Sequence, residues 1–299
     1  MEEKQTMTNE QLESNLKSLQ IKATITKLLT YAAGAAMIIV WFFMGNLVMG
    51  LVLLVIALVF GYLSAKSSST LKKLLSDNII GGVLKEALGD AVEYNPWGKI
   101  NPGSMVFPFS YNCAGGSDHI KAVYNGLNIE LGDIELINET ENTDENGNTQ
   151  KNSQTCFKGQ WLTCDFGKEL SGQVYISEWT KKDRRSMKSN VTMDNEQFGK
   201  RFCVRADDPQ EAYYILTPHM MEYIISIADK SGGTVYMSFL RDGKLHVAVQ
   251  TGRDFFELGK NNANVEELRQ KFLGELRWFT DIVDTLRVED TLYKKESNI

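Results

Sequence analysis

The sequence predicts an α+β protein, with an N-terminal two-helix transmembrane hairpin followed by a cytoplasmic antiparallel sheet packed with helices. Three observations carry that expectation. From Leu28 to Ala65, thirty-eight consecutive residues bear no formal charge. From Met105 to Arg205 the pattern is β, in short runs rich in branched and aromatic residues, and after Thr217 two capped stretches carry apolar residues at helical spacing. The divisions read as a helical stalk (1–27), the hairpin (28–65), a juxtamembrane helix and linker (66–104), the α+β domain (105–290) and a tail (291–299).

At the N-terminus, Thr8-x-x-Gln11 is a capping-box pattern that opens a polar helix through about Thr26, continuous with the first span. As one straight helix the uncharged stretch would reach roughly 57 Å at 1.5 Å per residue, nearly twice the ~30 Å hydrocarbon layer. Two spans fit instead: Leu28 to Met44 and Leu47 to Leu63, seventeen residues each, joined by a turn at Gly45-Asn46. A cleaved signal peptide fits worse, because its apolar core would be about 7–15 residues and would not be followed by a second apolar run. Lys17, Lys22 and Lys27 precede the first span, Lys66, Lys72 and Lys73 follow the second, and the turn is uncharged, so both termini are expected in the cytoplasm. With no ionisable side chain in either span, an anchor is expected rather than an ion path or proton relay. Ala32 and Ala36 in the first span, with Ala57, Gly61 and Ala65 in the second, form a small-residue stripe. It suits either packing of the two spans on each other or a homo-oligomer seam.

Beyond the membrane, Leu71, Leu74, Leu75, Ile79, Ile80, Val83, Leu84, Ala87, Leu88 and Ala91 form a helical stripe to about Val92, bent or split at Gly81-Gly82. Asn95-Pro96 and Asn101-Pro102-Gly103 then mark a linker. Strands are expected at Val106 to Asn112, Ile120 to Tyr124, Leu127 to Ile137, Thr155 to Phe166 and Gly172 to Trp179, with a hairpin at Asn125-Gly126. Short connections favour an antiparallel meander. Thr217-Pro218 starts a helix with Met221, Ile224, Ile225 and Ala228 on one face, stopped by Ser231-Gly232-Gly233. Val235 to Leu240 and Leu245 to Gln250 flank a hairpin turn at Asp242-Gly243. Asn264-x-x-Glu267 opens the last helix, to about Arg287, with Leu268, Phe272, Leu276, Phe279, Val283 and Leu286 inward.

Charge and cysteine usage narrow the partners. The chain carries a formal net charge of −6; residues 1–66 hold five Lys against four Glu, leaving twenty-seven basic and thirty-four acidic residues in the remainder. An acidic soluble part excludes nucleic acid as the obvious partner. Cys113, Cys156, Cys164 and Cys203 are scattered, lack a C-x-x-C pair and read as small core hydrophobes in a reducing compartment.

Several segments together resemble a known family: Phe157-Lys158-Gly159-Gln160-Trp161, Asp165-Phe166, the run Phe198 to Val204, and the block Glu211 to Pro218 with Met221-Glu222. Ser238-Phe239 and Asp254-Phe255-Phe256-Glu257 fit it as well. They are similar to a bacterial domain-of-unknown-function family, number 3137, over most of residues 65–290. The resemblance implies a membrane-anchored bacterial protein and transfers no activity, substrate or catalytic residue; with the charge pattern, the expected location is the bacterial cytoplasmic (inner) membrane. Two features depart from the pattern: a basic run at Lys181 to Lys188 and a polar insertion at Glu139 to Gln154.

Candidate chemistry is sparse. His219-x-x-Glu222 has a spacing compatible with two metal ligands, but only His119 and His246 remain to complete a site, so no metal is expected. Asn142-x-Asp144-x-Asn146-Gly147-Asn148 imitates a calcium loop yet ends on Ser153 where a bidentate Glu is needed; it reads as a flexible hairpin loop. Lys181, Lys182, Arg184, Arg185 and Lys188 form a solvated loop or a lipid-headgroup contact. No nucleophile elbow or phosphate loop occurs, so no catalytic site and no cofactor is expected.

Three classes follow. The first is a membrane-anchored interaction or scaffold protein with an unidentified membrane or cytoplasmic protein partner. The second is a lipid or apolar-ligand binding domain in which Phe107, Phe109, Trp161, Phe239, Phe255 and Phe256 line a cavity. An unrecognised enzyme is the third.

Overall fold

The computed structural model describes residues 7–103, 109–143, 149–166, 170–179, 188–258 and 264–292, apart from the side chains of Phe43 and of residues 286–292. Two compact units result, Met1–Val83 with Leu258–Phe272 and Leu84–Glu257 with Leu273–Ile299.

The first unit is built on two long helices. Helix α1 (Asn9–Met44) opens on the expected capping box: Gln11 N–H donates to Thr8 Oγ1 at 3.4 Å, and Thr8 N–H donates to Gln11 Oε1 at 3.3 Å. The segments read as stalk and first span form one unbroken helix. Gly45 ends it in the left-handed region (φ +60°), where a β-carbon would be strained, and Asn46 Oδ1 accepts from Met49 N–H at 3.1 Å to start α2 (Leu47–Leu75). A positive-φ glycine followed by an extended, capping asparagine therefore reverses the chain in two residues.

The helices pack on each other along small side chains. A β-carbon on Gly61 would lie 3.8 Å from Thr30 Cγ2, one on Gly50 would lie 3.9 Å from Trp41 Cβ, and Ser64 Oγ donates to Ala23 O at 3.3 Å. Of the small-residue stripe, Ala36, Ala57 and Gly61 are half-buried, while Ala32 and Ala65 are exposed. The large apolar side chains point outward instead.

Helix α2 continues into a single π-helical turn, Ser76–Ile80, and then α3 (Gly81–Leu88). The irregularity expected at Gly81-Gly82 thus falls one turn earlier, closed by Gly81 N–H donating to Ser76 O. Leu12, Leu16, Leu75, Ile79, Ile80, Val83, Leu268 and Phe272 are all buried in this unit. The stalk also touches the start of α7 (Val265–Leu292): Glu13 Oε1 accepts from Val265 N–H at 2.9 Å, beside the expected Asn264 cap, whose Oδ1 accepts from Glu267 N–H at 3.0 Å. A carboxylate there complements the helix dipole.

An eight-stranded, wholly antiparallel sheet forms the second unit. Its strands are β1 (Val92–Asn95), β2 (Cys113–Tyr124), β3 (Leu127–Thr143), β4 (Thr149–Asp165), β5 (Val174–Glu178), β6 (Phe202–Ala206), β7 (Thr234–Phe239) and β8 (Lys244–Gln250). The spatial order is β1-β2-β3-β4-β8-β7-β5-β6, so the expected meander holds from β2 to β4, with β1 added ahead of it, and then fails at β5. Connections long enough to carry α4 (Glu196–Arg201), α5 (Pro209–Ile215) and α6 (Pro218–Lys230) let β8 take the place beside β4. Helix α6 is capped as expected, Thr217 Oγ1 accepting from Met220 N–H at 3.2 Å, and Met221, Ile224, Ile225 and Ala228 are buried.

Four expectations need correction. The helix read to Val92 stops at Leu88, and Val92 opens β1, because Gly89 (φ +90°) turns the chain out of the helix. The strand expected at Val106 to Asn112 has no counterpart over 109–112, where the chain has no regular structure; β2 begins at Cys113, and 104–108 lie outside the described residues. Cys113 is exposed and Cys156 only half-buried, so just Cys164 and Cys203 behave as core residues. Much of the polar insertion at 139–154 is a paired ribbon, running from Glu139↔Ser153 to Thr143↔Thr149 with the side chains of 139–143 and 149–155 exposed. Ladder hydrogen bonds need no apolar face, and branched Thr140, Thr143 and Thr149 favour the extended chain. The tip of the calcium-loop imitation, 144–148, lies outside the described residues.

The β4–β8 junction depends on one missing side chain. A β-carbon on Gly159 would sit 2.0 Å from Val249 O and 2.9 Å from Thr251 N, both rigid backbone. Gly159→Ala is therefore expected to cost on the order of 3 kcal/mol, read as a lower urea midpoint at unchanged slope.

Candidate functional site

Two groups of buried polar side chains lie on opposite faces of the sheet. On the helix-covered face, β2 and β3 converge at an irregularity: their register shifts between Ser117 and Ile120, and Asp118 is held at φ +56°. Gly116 permits the approach, since a β-carbon there would lie 2.2 Å from Asp133 O. Asp118 and Asp133, only 2% and 3% exposed, both accept from Ser117 Oγ, at 2.9 and 3.4 Å. Tyr94 OH on β1 donates to Asp118 Oδ1 at 2.5 Å.

Asp133 also fastens the segment that follows β8. Phe255 N–H donates to both of its carboxylate oxygens (2.8 and 2.9 Å), and Gln160 Nε2 donates to its Oδ1 at 3.3 Å. Gln160 Nε2 further donates to Arg253 O, while Gln160 Oε1 accepts from Thr251 Oγ1 at 2.8 Å. Phe255 and Phe256 are buried and stacked; Phe256, at φ +54°, meets Tyr94 edge-on, and Phe255 meets Phe279 of α7. Burial and the neighbouring Asp118 charge push the Asp133 carboxyl up to about 9, against the opposing pull of the Phe255 N–H. Burial, with the same aspartate beside it, also pushes the Tyr94 phenol up. The arrangement favours the protonated form of Asp133 and clamps a loop.

On the opposite face, Trp161 Nε1–H donates to His246 Nδ1 at 3.1 Å, with the rings edge to face at 5.9 Å. Burial lowers His246 from 6.5 to about 4, so the imidazole is neutral and accepts at Nδ1. Registers Thr163↔His246 and Ser238↔His246 place those hydroxyls in the same row, and Ser177↔Tyr236 lies one step along. Thr163 Oγ1 and Ser177 Oγ are buried without a hydrogen-bond partner among the described residues. Ile134, Leu136, Phe157, Trp161, Tyr236 and Ala248 fill the rest of this face, with Ile100 and Phe109 over them.

Of the residues singled out from sequence, Lys188 is exposed, and Lys181, Lys182, Arg184 and Arg185 lie outside the described residues. His219-x-x-Glu222 begins α6, and no group of three metal-ligating side chains forms among the described residues. His119 instead pairs with Glu130 across β2 and β3 at 2.8 Å. The aromatics proposed to line a cavity are in mutual contact: Phe109 on Phe157 and Tyr236, Trp161 on Phe157, Phe255 on Phe256. Phe239 is half-buried, and Phe107 lies outside the described residues. Sequence reading passed over Tyr94, Asp118, Asp133 and Gln160. Two signals pointed to them: Gly115-Gly116 inside a β run, and Asp133 in phase with Ile129 and Leu131.

Residues 155–288 match the family DUF3137, a protein of unknown function. No curated protein and no solved structure matches the chain. The DUF3137 match starts in β4 rather than near residue 65, so it holds Gln160, the Trp161–His246 row and the clamped loop but excludes Tyr94, Asp118 and Asp133. Half of the clamp is thus supplied by chain that lies upstream of the matched DUF3137 segment.

Proposed function

We propose that this chain is a membrane-anchored interaction protein whose α+β unit serves, in the cytoplasm, as a scaffold for another membrane or cytoplasmic protein. The hairpin carries the proposal. Both helices are long and apolar enough to cross a bilayer, and their large side chains face outward: Leu28 is 67% exposed, Phe42 84%, Val48 70% and Tyr62 67%. So continuous an apolar surface is unfavourable in water and suits lipid. Lysines flank both spans and the turn has none, which favours termini on the cytoplasmic side of a bacterial inner membrane. Against a carrier of apolar ligands stands the mutual packing of Phe109, Phe157, Trp161 and Tyr236 where a ligand would otherwise sit.

Crosslinking of the membrane-embedded protein followed by pull-down is expected to return one reproducible protein partner; recovery of nothing above background would sink the scaffold reading. Asn46→Cys is expected to react with a membrane-impermeant maleimide in intact cells, whereas a cysteine at the C-terminal tail reacts only after permeabilisation. The reverse pattern would overturn the topology.

A further inference from the structure

The face of α1 just ahead of the first span forms an open groove of about 550 Å³, lined by Ser14, Lys17, Ser18, Ile21, Lys22 and Ile25. Thr26 also lines it and donates its hydroxyl to Lys22 O and Ala23 O, whereas the side chains of Ser14, Lys17, Ser18 and Lys22 make no hydrogen bond or ion pair among the described residues. Its polar and apolar parts alternate by turn: Ile21 and Ile25 lie one turn apart, about half exposed, with Lys17 and Lys22 beside them. The seventeen-residue run from Leu28 to Met44 falls about three residues short of a usual span. The turn from Ala23 to Lys27 therefore lies at the edge of the hydrocarbon, with the Lys27 ammonium extending back toward the phosphates, which sets Ile21 and Lys22 at headgroup depth and Lys17 just beyond. Lysine stems extend along apolar surface and carry the ammonium to the phosphate layer.

We propose that this groove binds one anionic phospholipid, its phosphate on Lys17 and Lys22, its glycerol oxygens by Ser14 and Ser18, and the start of an acyl chain on Ile21 and Ile25. The assignment rests on the membrane reading above. Charge complementarity selects the headgroup, and continuity with the span selects a lipid over a soluble phosphate. A bound lipid would fix the stalk at the bilayer surface through a contact that neither span supplies.

The test uses the full-length chain in phosphatidylcholine nanodiscs doped with spin-labelled phosphatidylglycerol or spin-labelled phosphatidylcholine. The motionally restricted fraction is expected to favour phosphatidylglycerol by about tenfold, and Lys17→Gln with Lys22→Gln to erase that preference. Lys72→Gln with Lys73→Gln is expected to keep it. Equal restriction of the two lipids in the wild type, an unchanged preference in the Lys17/Lys22 variant, or an equal loss in the Lys72/Lys73 variant would overturn the site. Displacement of the labelled lipid by inorganic phosphate at constant ionic strength would assign the groove to soluble phosphate, which also overturns it. Failure of the protein to co-elute with the disc would reject the membrane reading itself, an outcome separable from loss of lipid preference.

Discussion

Ile38→Lys combined with Val55→Lys is expected to remove the protein from membranes. Each residue lies near the middle of its apolar run, and each is exposed, Ile38 at 54% and Val55 at 58%, so neither substitution opens a hole in the hairpin. In a bilayer the cost is different: a lysine at the centre of a spanning helix is unfavourable by about 3 kcal/mol on insertion scales, and two together by roughly twice that. The wild type should float with liposomes and resist alkaline carbonate, and the double variant should stay at the bottom of the gradient. The α+β unit should retain its urea midpoint in both. Equal flotation would mean that the hairpin does not cross lipid, and the anchor would have to be sought elsewhere.

Asp133→Asn is expected to flatten the pH dependence of stability on the alkaline side. The Asp133 carboxyl rises from 3.8 to about 9 on folding, so the folded state holds its proton where the unfolded chain has lost it. That contribution is complete below about 4 and fades as pH rises through about 9. His246 acts in the opposite sense. Lowered from 6.5 to about 4, it contributes above 6.5 and is lost as pH falls toward 4. The two trends oppose each other between about 4 and 6.5, and above 6.5 only the Asp133 loss remains. An asparagine keeps an acceptor for Phe255 N–H and cannot ionise, so its chemical-denaturation midpoint should hold from pH 7 to 9 where the wild type declines. Parallel decline in both proteins would show that the alkaline loss comes from another group. Asp133→Ala, in contrast, leaves the Phe255 N–H and the Gln160 amide short of an acceptor inside the protein and is expected to cost about 3 kcal/mol at neutral pH.

The clamp explains why a carboxylate pair occupies a protein interior. After β8 the N–H of Gly252 still donates to a strand carbonyl, Lys158 O, whereas that of Phe255 takes its acceptors from a side chain. Asp133 supplies two oxygens at once, and Gln160 spans from its own strand to Arg253 and Thr251. One loop is fixed by side chains from β3 and β4, which places stacked Phe255 and Phe256 against Tyr94 and Phe279. Proton retention at Asp133 follows from keeping two carboxyls in one dry site.

Much of the fold was legible because local chemistry decided it. The thirty-eight uncharged residues, the Gly45-Asn46 reversal, the capping box at Thr8, the cap at Thr217 and the hairpin turns at Asn125-Gly126 and Asp242-Gly243 each depend on neighbours within a few positions. Periodicity likewise predicted the buried faces of α6 and α7, from Met221 to Ala228 and from Leu268 to Val283. Only the tertiary structure decided the rest. The place of β8 beside β4 depends on a carbonyl passing over Gly159, and the short β1 survives because its residues pair with Ile120, Lys121 and Ala122. Nor could spacing bring together Tyr94, Asp118, Asp133, Gln160 and Phe255, which lie up to 161 positions apart and meet at a register shift between two strands. Short-range rules determine which segments become helices and strands. Which strands pair, and which polar groups are shut away from water together, is set by long-range contacts whose free energy exists only once the sheet has closed over them.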